Sequence, residues 1–194
     1  MRIAFLASHN GSAAKAIAQA CRDRILAATP ALLISNNAGS SALQWAKEMG
    51  METAIINAGN AANPDRAIAD LMKEHSIDLA LCSGYMKLIG ADSIGALKGR
   101  ILNIHPALLP LYGGKGMYGP RVHQAVHDNG DRETGITIHL VNNEYDRGRI
   151  IAQKRIPIPP ASSATEIEEM VKAAEPDFYI ETLAGILTGS ITLA

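Results

Sequence analysis

The chain has 194 residues, 18 of them basic and 19 acidic, and a formal net charge of −1. A domain of this length can bury one substantial core. So even a charge balance supplies no long-range field to gather nucleic acid or an anionic membrane, and any anionic ligand must be held by local groups. The two cysteines, Cys21 and Cys82, lie far apart without metal-ligand spacing, which argues against a disulfide framework and predicts two buried thiols in a reducing compartment. The apolar stretch after Met1-Arg2 is too short for a secretory signal, and no apolar run is long enough to span a bilayer. A single cytoplasmic domain is the expectation. No heptad or apolar stripe marks a partner face, so either a monomer or a homodimer is expected.

In chain order, Ile3 to Ala7 reads as a buried strand, Gly11-Ser12 as a turn, and Ala13 to Arg24 as a helix with apolar residues at helical spacing. Ala31 to Ser35 is a second strand, Ser40 to Met49 a helix ending at Gly50, and Thr53 to Ile56 a short strand. A helix over Pro64 to His75 leads to the apolar strand Leu79 to Cys82, a short helix at Asp92 to Leu97, and a strand from Ile101 to His105. Strands alternating with helices imply an α/β fold, with a mostly parallel sheet covered on both faces. After Pro106 the pattern changes. Ala107 to Gly119 is loop-like, Pro120 to His127 predicts a helix, and Thr134 to Val141 alternates strictly. Ile150 to Ile156 resumes strand character, so these two runs predict an antiparallel pair near the C-terminal end. Thr165 to Thr182 is the last predicted helix.

The chemistry concentrates at Asn103-Ile104-His105-Pro106. Residues i and i+2 of a strand project from one face, and Pro106 ends the strand at a carboxyl edge, where open α/β sheets keep their ligands. Asn103 and His105 would thus point together into a site. The loop Ser8-His9-Asn10-Gly11-Ser12 could hold a phosphate at a helix N-terminus, or be an ordinary capped turn. It lacks both G-x-G-x-x-G and a Walker lysine, which weakens any NAD or ATP reading. His123 and His127 have the i, i+4 spacing of two metal ligands, but Gln124 stands where a zincin needs Glu and no third ligand is near, so no metal is expected and a surface or pocket-lining helix is preferred. Asp146, in a turn before Gly148, is by itself ordinary turn chemistry.

Asn103-Ile104-His105-Pro106-Ala107-Leu108-Leu109-Pro110, Gly135-Ile136-Thr137-Ile138-His139 and Tyr145-Asp146-Arg147-Gly148-Arg149-Ile150-Ile151 together resemble the folate-dependent formyltransferases, most closely the branch that formylates phosphoribosylglycinamide. The resemblance runs over nearly the whole chain, from the Asn10-Gly11-Ser12 turn through Gly84-Tyr85-Met86-Lys87-Leu88-Ile89 to the helix carrying Glu175. It implies a Rossmann-like formyltransferase fold in one catalytic domain, 1–194, with a phosphate- and ribonucleotide-binding half over 1–100 and a catalytic and folate-binding half over 101–194. The activity implied is formyl transfer from 10-formyltetrahydrofolate, a co-substrate, to the primary amine of glycinamide ribonucleotide in purine synthesis. It requires no metal, nucleic acid or membrane. By the same resemblance Asn103, His105 and Asp146 are the catalytic triad, with His105 protonated. Asn10, Gly11 and Ser12 bind the substrate phosphate and Glu175 the glycinamide portion. Met86, Lys87 and Ile89 face the turn Asn142, Asn143, Glu144, Tyr145 across the folate pocket, with Thr137 and His139 as a supporting shell. The implied pattern is departed from at Ala13, where Asn is common, at Lys87, where Arg is common, and in a longer loop from Gly113 to Gly119 that could act as a lid. Formyltetrahydrofolate deformylase and formyltransferases for other amines are the alternatives.

Overall fold

A computed structural model describes residues 1–193. It has seven strands, β1 (Arg2–Leu6), β2 (Thr29–Ser35), β3 (Glu52–Ile55), β4 (Leu79–Cys82), β5 (Ile101–His105), β6 (Glu133–Leu140) and β7 (Ile150–Pro157). Six helices accompany them, α1 (Ser12–Arg22), α2 (Ser41–Glu48), α3 (Pro64–Glu74), α4 (Ala91–Ala96), α5 (Pro120–Asp128) and α6 (Ala164–Thr188). The strands form one sheet in the order β3-β2-β1-β4-β5-β6-β7. The first five are mutually parallel, and β6 and β7 add to β5 as antiparallel neighbours. The strand order reverses between β1 and β4, the kind of switch point at which such sheets open a crevice.

Strand alternation sorts β1 onto two cores. Ile3 and Phe5 pack with α1, α2 and α6 on one face, while Ala4 and Leu6 pack with α3 and α4 on the other. Near-continuous apolar runs such as Leu79–Cys82 result because both faces are covered. β6 alternates in sequence yet is nearly all buried, because both of its faces are covered and its polar Thr137 and His139 turn inward rather than to solvent.

The last helix departs from the sequence expectation by continuing past Thr182 to Thr188, through Pro176 and Gly185. Leu183 and Ile186 extend its buried face into the core, and Gly189, at φ 79° in the left-handed region, ends it. The helix begins with a capping box in which Ser163 and Glu166 satisfy one another's backbone N–H groups. Among the described residues no helix is long and apolar enough to cross a membrane.

Candidate active site

A cleft of about 800 Å³ opens along the carboxyl ends of β1, β4 and β5. Its first wall is the β1–α1 loop. Gly11 sits at φ 62°, and a Cβ there would press against Ala42 and Ala7, so only glycine lets α1 start this close to α2. The first N–H groups of a helix have no carbonyl of their own, and the Asn10, Gly11 and Ser12 segment that carries them lines the cleft. One turn further in, the Ser83 hydroxyl accepts from Ala14 N–H at 3.2 Å. Ser8 ties this loop to the next one: its hydroxyl accepts from Met86 N–H at 2.8 Å and donates to Asn36 Oδ1 at 2.5 Å.

Strand β5 supplies the second wall. In its antiparallel pairing with β6, Asn103 lies opposite His139 and His105 opposite Thr137. Paired residues share a face, so the register brings four polar side chains to one side of the sheet. Asn103 Nδ2 lies 3.1 Å from His139 Nε2, while His139 Nδ1 lies 2.8 Å from the Leu140 carbonyl. Because a carbonyl only accepts, the hydrogen of neutral His139 belongs on Nδ1, and its Nε2 then accepts from the Asn103 amide. That contact fixes which end of Asn103 is the donor. His139 is therefore in direct contact with the site. Thr137 is not: fully buried, it donates to the Ala107 carbonyl at 2.6 Å and accepts from Leu109 N–H at 3.0 Å, clamping the chain that follows Pro106.

The β6–β7 connection delivers Asp146 at φ 56°, a left-handed backbone that costs most residues with a Cβ and that Asp tolerates better than most. Gly148 makes the turn possible, since a Cβ at that position would overlap the Leu140 carbonyl oxygen. Asp146 Oδ2 accepts from Gly114 N–H at 2.9 Å and lies 3.6 Å from His105 Nδ1; its Oδ1 lies 3.5 Å from His139 Nε2. Burial alone would raise the Asp146 carboxyl, but the Gly114 N–H, with His139 and His105 whenever these carry a proton toward it, holds it below the usual carboxylate range. For His105 burial wins instead. It pushes the imidazole below its ordinary value, and Asp146 and the Tyr112 carbonyl offset only part of that. This runs against the protonated His105 expected from sequence: with the residue 3% exposed, desolvation of an imidazolium outweighs a carboxylate 3.6 Å away and shifts the ring toward its neutral form.

The remaining expected residues divide. Met86, Lys87 and Ile89 line the cleft opposite Asn142, Glu144 and Tyr145. Asn143 does not line it and is exposed. Glu175 reaches the cleft from α6, where burial, opposed by Lys172, raises its carboxyl to about 7. His123 lines the cleft from α5, while His127 is exposed beside Asp128, so the two do not form a pair. Among the described residues no cluster of three metal-ligating side chains occurs. Sequence reasoning missed Lys172, which also lines the cleft and pairs with Glu168 at 2.5 Å. The i, i+4 and i, i+3 spacing of Glu168, Lys172 and Glu175 on one predicted helix was the available signal. It also missed the Tyr112 carbonyl and the Gly114 N–H, backbone groups that side-chain identity does not reveal.

Comparison with known proteins agrees with this geometry. The family model described as formyl transferase matches residues 1–183. The phosphoribosylglycinamide formyltransferase of Haemophilus influenzae is 34% identical over 195 residues, covering 99% of this chain and 90% of that protein. The chloroplastic phosphoribosylglycinamide formyltransferase of Arabidopsis thaliana is also 34% identical, over 95% of this chain, which spans 65% of the plant protein's length. The crystal structure of phosphoribosylglycinamide formyltransferase from Bacillus halodurans superposes with a TM-score of 0.89 at 30% identity, covering 100% of this chain and 98% of that one. The chain belongs to the formyl transferase family.

Proposed function

We propose that the protein transfers the formyl group of 10-formyltetrahydrofolate to the primary amine of phosphoribosylglycinamide, a step of purine synthesis. The observation that carries this reading is the meeting of Asn103, His105 and Asp146, remote in sequence, in one cleft that also holds the N-terminus of α1. The relatives named phosphoribosylglycinamide formyltransferase support the choice of acceptor.

The reaction makes three demands. An anionic acceptor must be anchored, and the Asn10-Gly11-Ser12 loop at the start of α1 offers N–H donors and the positive end of a helix dipole. Glu175, whose carboxyl titrates near neutrality, would meet the glycinamide portion. A flat folate ring needs apolar walls with a few hydrogen bonds, which Met86 and Ile89 on one side and the turn Asn142, Glu144, Tyr145 on the other would give, with Lys87 near the entrance as a cation for carboxylate.

Attack of the neutral amine on the formyl carbon places negative charge on oxygen and positive charge on nitrogen. Asn103, its amide oriented by His139, would donate to the oxygen; one such donor is worth about 3–4 kcal/mol in other acyl transfers. His105 starts neutral and can therefore take the proton the amine must lose, and Asp146, already ionised, stabilises the imidazolium that results. Asp146 carries the proton onward to the departing folate nitrogen, directly or through water.

The decisive assay is acceptor dependence. Purified protein is expected to consume 10-formyltetrahydrofolate only when glycinamide ribonucleotide is present. Turnover without an amine would assign a deformylase, and turnover only with a different amine would reassign the acceptor.

A further inference from the structure

His105 is held from two sides. Its Nε2 lies 2.8 Å from the backbone carbonyl of Tyr112, and its Nδ1 lies 3.6 Å from Asp146 Oδ2. A carbonyl oxygen only accepts, so while that contact stands Nε2 carries a hydrogen whether the ring is neutral or charged. The neutral ring then has its lone pair on Nδ1, toward the carboxylate. An ionised carboxylate would favour the opposite tautomer, because it draws a proton to the nitrogen it faces. Two acceptors thus compete for one hydrogen, and the shorter contact belongs to Tyr112.

The position of that carbonyl is not a default of the chain. Tyr112 has φ 55°, in the left-handed region that is costly for a residue with a Cβ. Its side chain is fastened at the far end, where Tyr112 Oη donates to Asp131 Oδ2 at 2.6 Å and Asn129 Nδ2 donates to Asp131 Oδ1 at 2.7 Å. Asp131 lies between α5 and β6, so the strained residue is tied to the frame that also carries His139. Two residues beyond Tyr112, Gly114 N–H holds Asp146 Oδ2. One short segment therefore sets the acceptors on both sides of the ring.

We propose that Tyr112 is a positioning residue: its hydrogen bond to Asp131 holds its carbonyl on His105 Nε2, fixing neutral His105 as the Nε2–H tautomer and leaving Nδ1 bare toward Asp146 as the atom that takes the reaction's proton. The identity of that proton rests on the formyl-transfer reading. As the amine nitrogen bonds to the formyl carbon, the carbonyl π pair moves to oxygen and the nitrogen's proton passes to Nδ1. As the oxygen's pair re-forms the carbonyl, the carbon–nitrogen bond to the folate breaks and its electron pair goes to the folate nitrogen, which takes the proton from Nδ1 by way of Asp146. The groups whose charge acts on the ring are Asp146 from the β6–β7 turn, His139 from β6 and His123 from α5, and Tyr112→Phe alters the charge of none of them.

The test is ¹⁵N NMR of histidine-labelled full-length protein at about pH 8, above the ordinary imidazole range, with His105 assigned by its loss in His105→Asn. Wild type is expected to show a protonated Nε2 and a bare Nδ1. Tyr112→Phe removes only the hydroxyl and is expected to raise the Nδ1–H population several-fold. It should also lower kcat about tenfold with KM for both substrates unchanged, the pattern of an interaction used in the chemical step. Asp131→Ala cuts the same bond from the other side and should give the same spectral change. A wild-type ring found as the Nδ1–H tautomer overturns the proposal whether or not either variant folds. So does a Tyr112→Phe protein whose tautomer and kcat match wild type. The spectrum needs no substrate, so failure of the acceptor-dependence assay with the expected spectrum would sink the formyl-transfer reading alone.

Discussion

The two ends of the cleft offer ligands different things. Around β1 and β4 the cleft is lined by a glycine turn and a helix N-terminus, so an anion would meet N–H groups fixed by the backbone fold. Around β5, β6 and β7 it is lined by the largely buried side chains of Asn103, His105, His139 and Asp146, and the ionisation of His105 and of Asp146 is lowered there. Among left-handed positions facing the cleft, the first end has the glycines Gly11 and Gly84, where such a backbone costs little, while the second adds Asp146, which carries a Cβ, to Gly114, Gly116 and Gly119. The parallel end is built to hold an anion, and the antiparallel end gathers ionisable side chains whose titration burial and neighbours shift, which is where chemistry is expected.

If that division is right, substitutions at the antiparallel end act on kcat and those at the parallel end on KM. The largest effect should come from Asp146→Asn, which keeps the shape but cannot carry a proton or stabilise an imidazolium: kcat falls about 10³–10⁴-fold with the circular dichroism spectrum unchanged. Near-normal turnover would remove Asp146 from the mechanism. Asn103→Ala deletes a donor aimed at the developing oxyanion and should lower kcat about 10²–10³-fold with small change in KM. A change confined to KM would make Asn103 a binding group and blur the contrast.

Glu175 provides a test through pH. Its carboxyl is raised from 4.5 to about 7 on folding, so the folded state binds more protons than the unfolded one between those values. Stability linked to this group is fully present below about pH 4.5 and is lost as pH rises through about 7. Glu175→Gln has no such group. The Tm difference between variant and wild type should therefore grow in the variant's favour from pH 5 to pH 8, by up to about 3 kcal/mol of stability. Parallel pH–Tm curves would mean that Glu175 is not desolvated in solution. The smallest effect belongs to the parallel end: Ser12→Ala removes one hydroxyl from a loop that still offers its N–H groups, costing about 1 kcal/mol of acceptor binding. That reads as a KM several-fold higher at constant kcat. A loss of kcat matching that of Asn103→Ala would break the comparison outright.

Much of this was legible in the amino-acid order because it rests on periodicity and local chemistry. Apolar runs of strand length alternating with helical spacing specify a covered parallel sheet, and Pro106 after Ile101–His105 places Asn103 and His105 at its carboxyl edge. The strict alternation of Thr134 to Val141 likewise foretold a strand with one distinct face. The helix end at Thr182 was misjudged because Gly185 weakens the local signal beyond it, whereas burial of Leu183 and Ile186 decides the matter only in the folded protein.

What residue order by itself determined was the layout: which segments form strands and helices, and which side chains stand at strand ends and in glycine turns, since these follow from side-chain spacing and backbone sterics. What the tertiary structure alone decided was the state of the site. The register of β5 against β6 sets His139 on Asn103, the β6–β7 turn brings Asp146 to His105, and burial lowers that imidazole below its ordinary value. Protonation and tautomer depend on desolvation and on which carbonyl lies within 3 Å, and those distances exist only once segments remote along the chain have packed together.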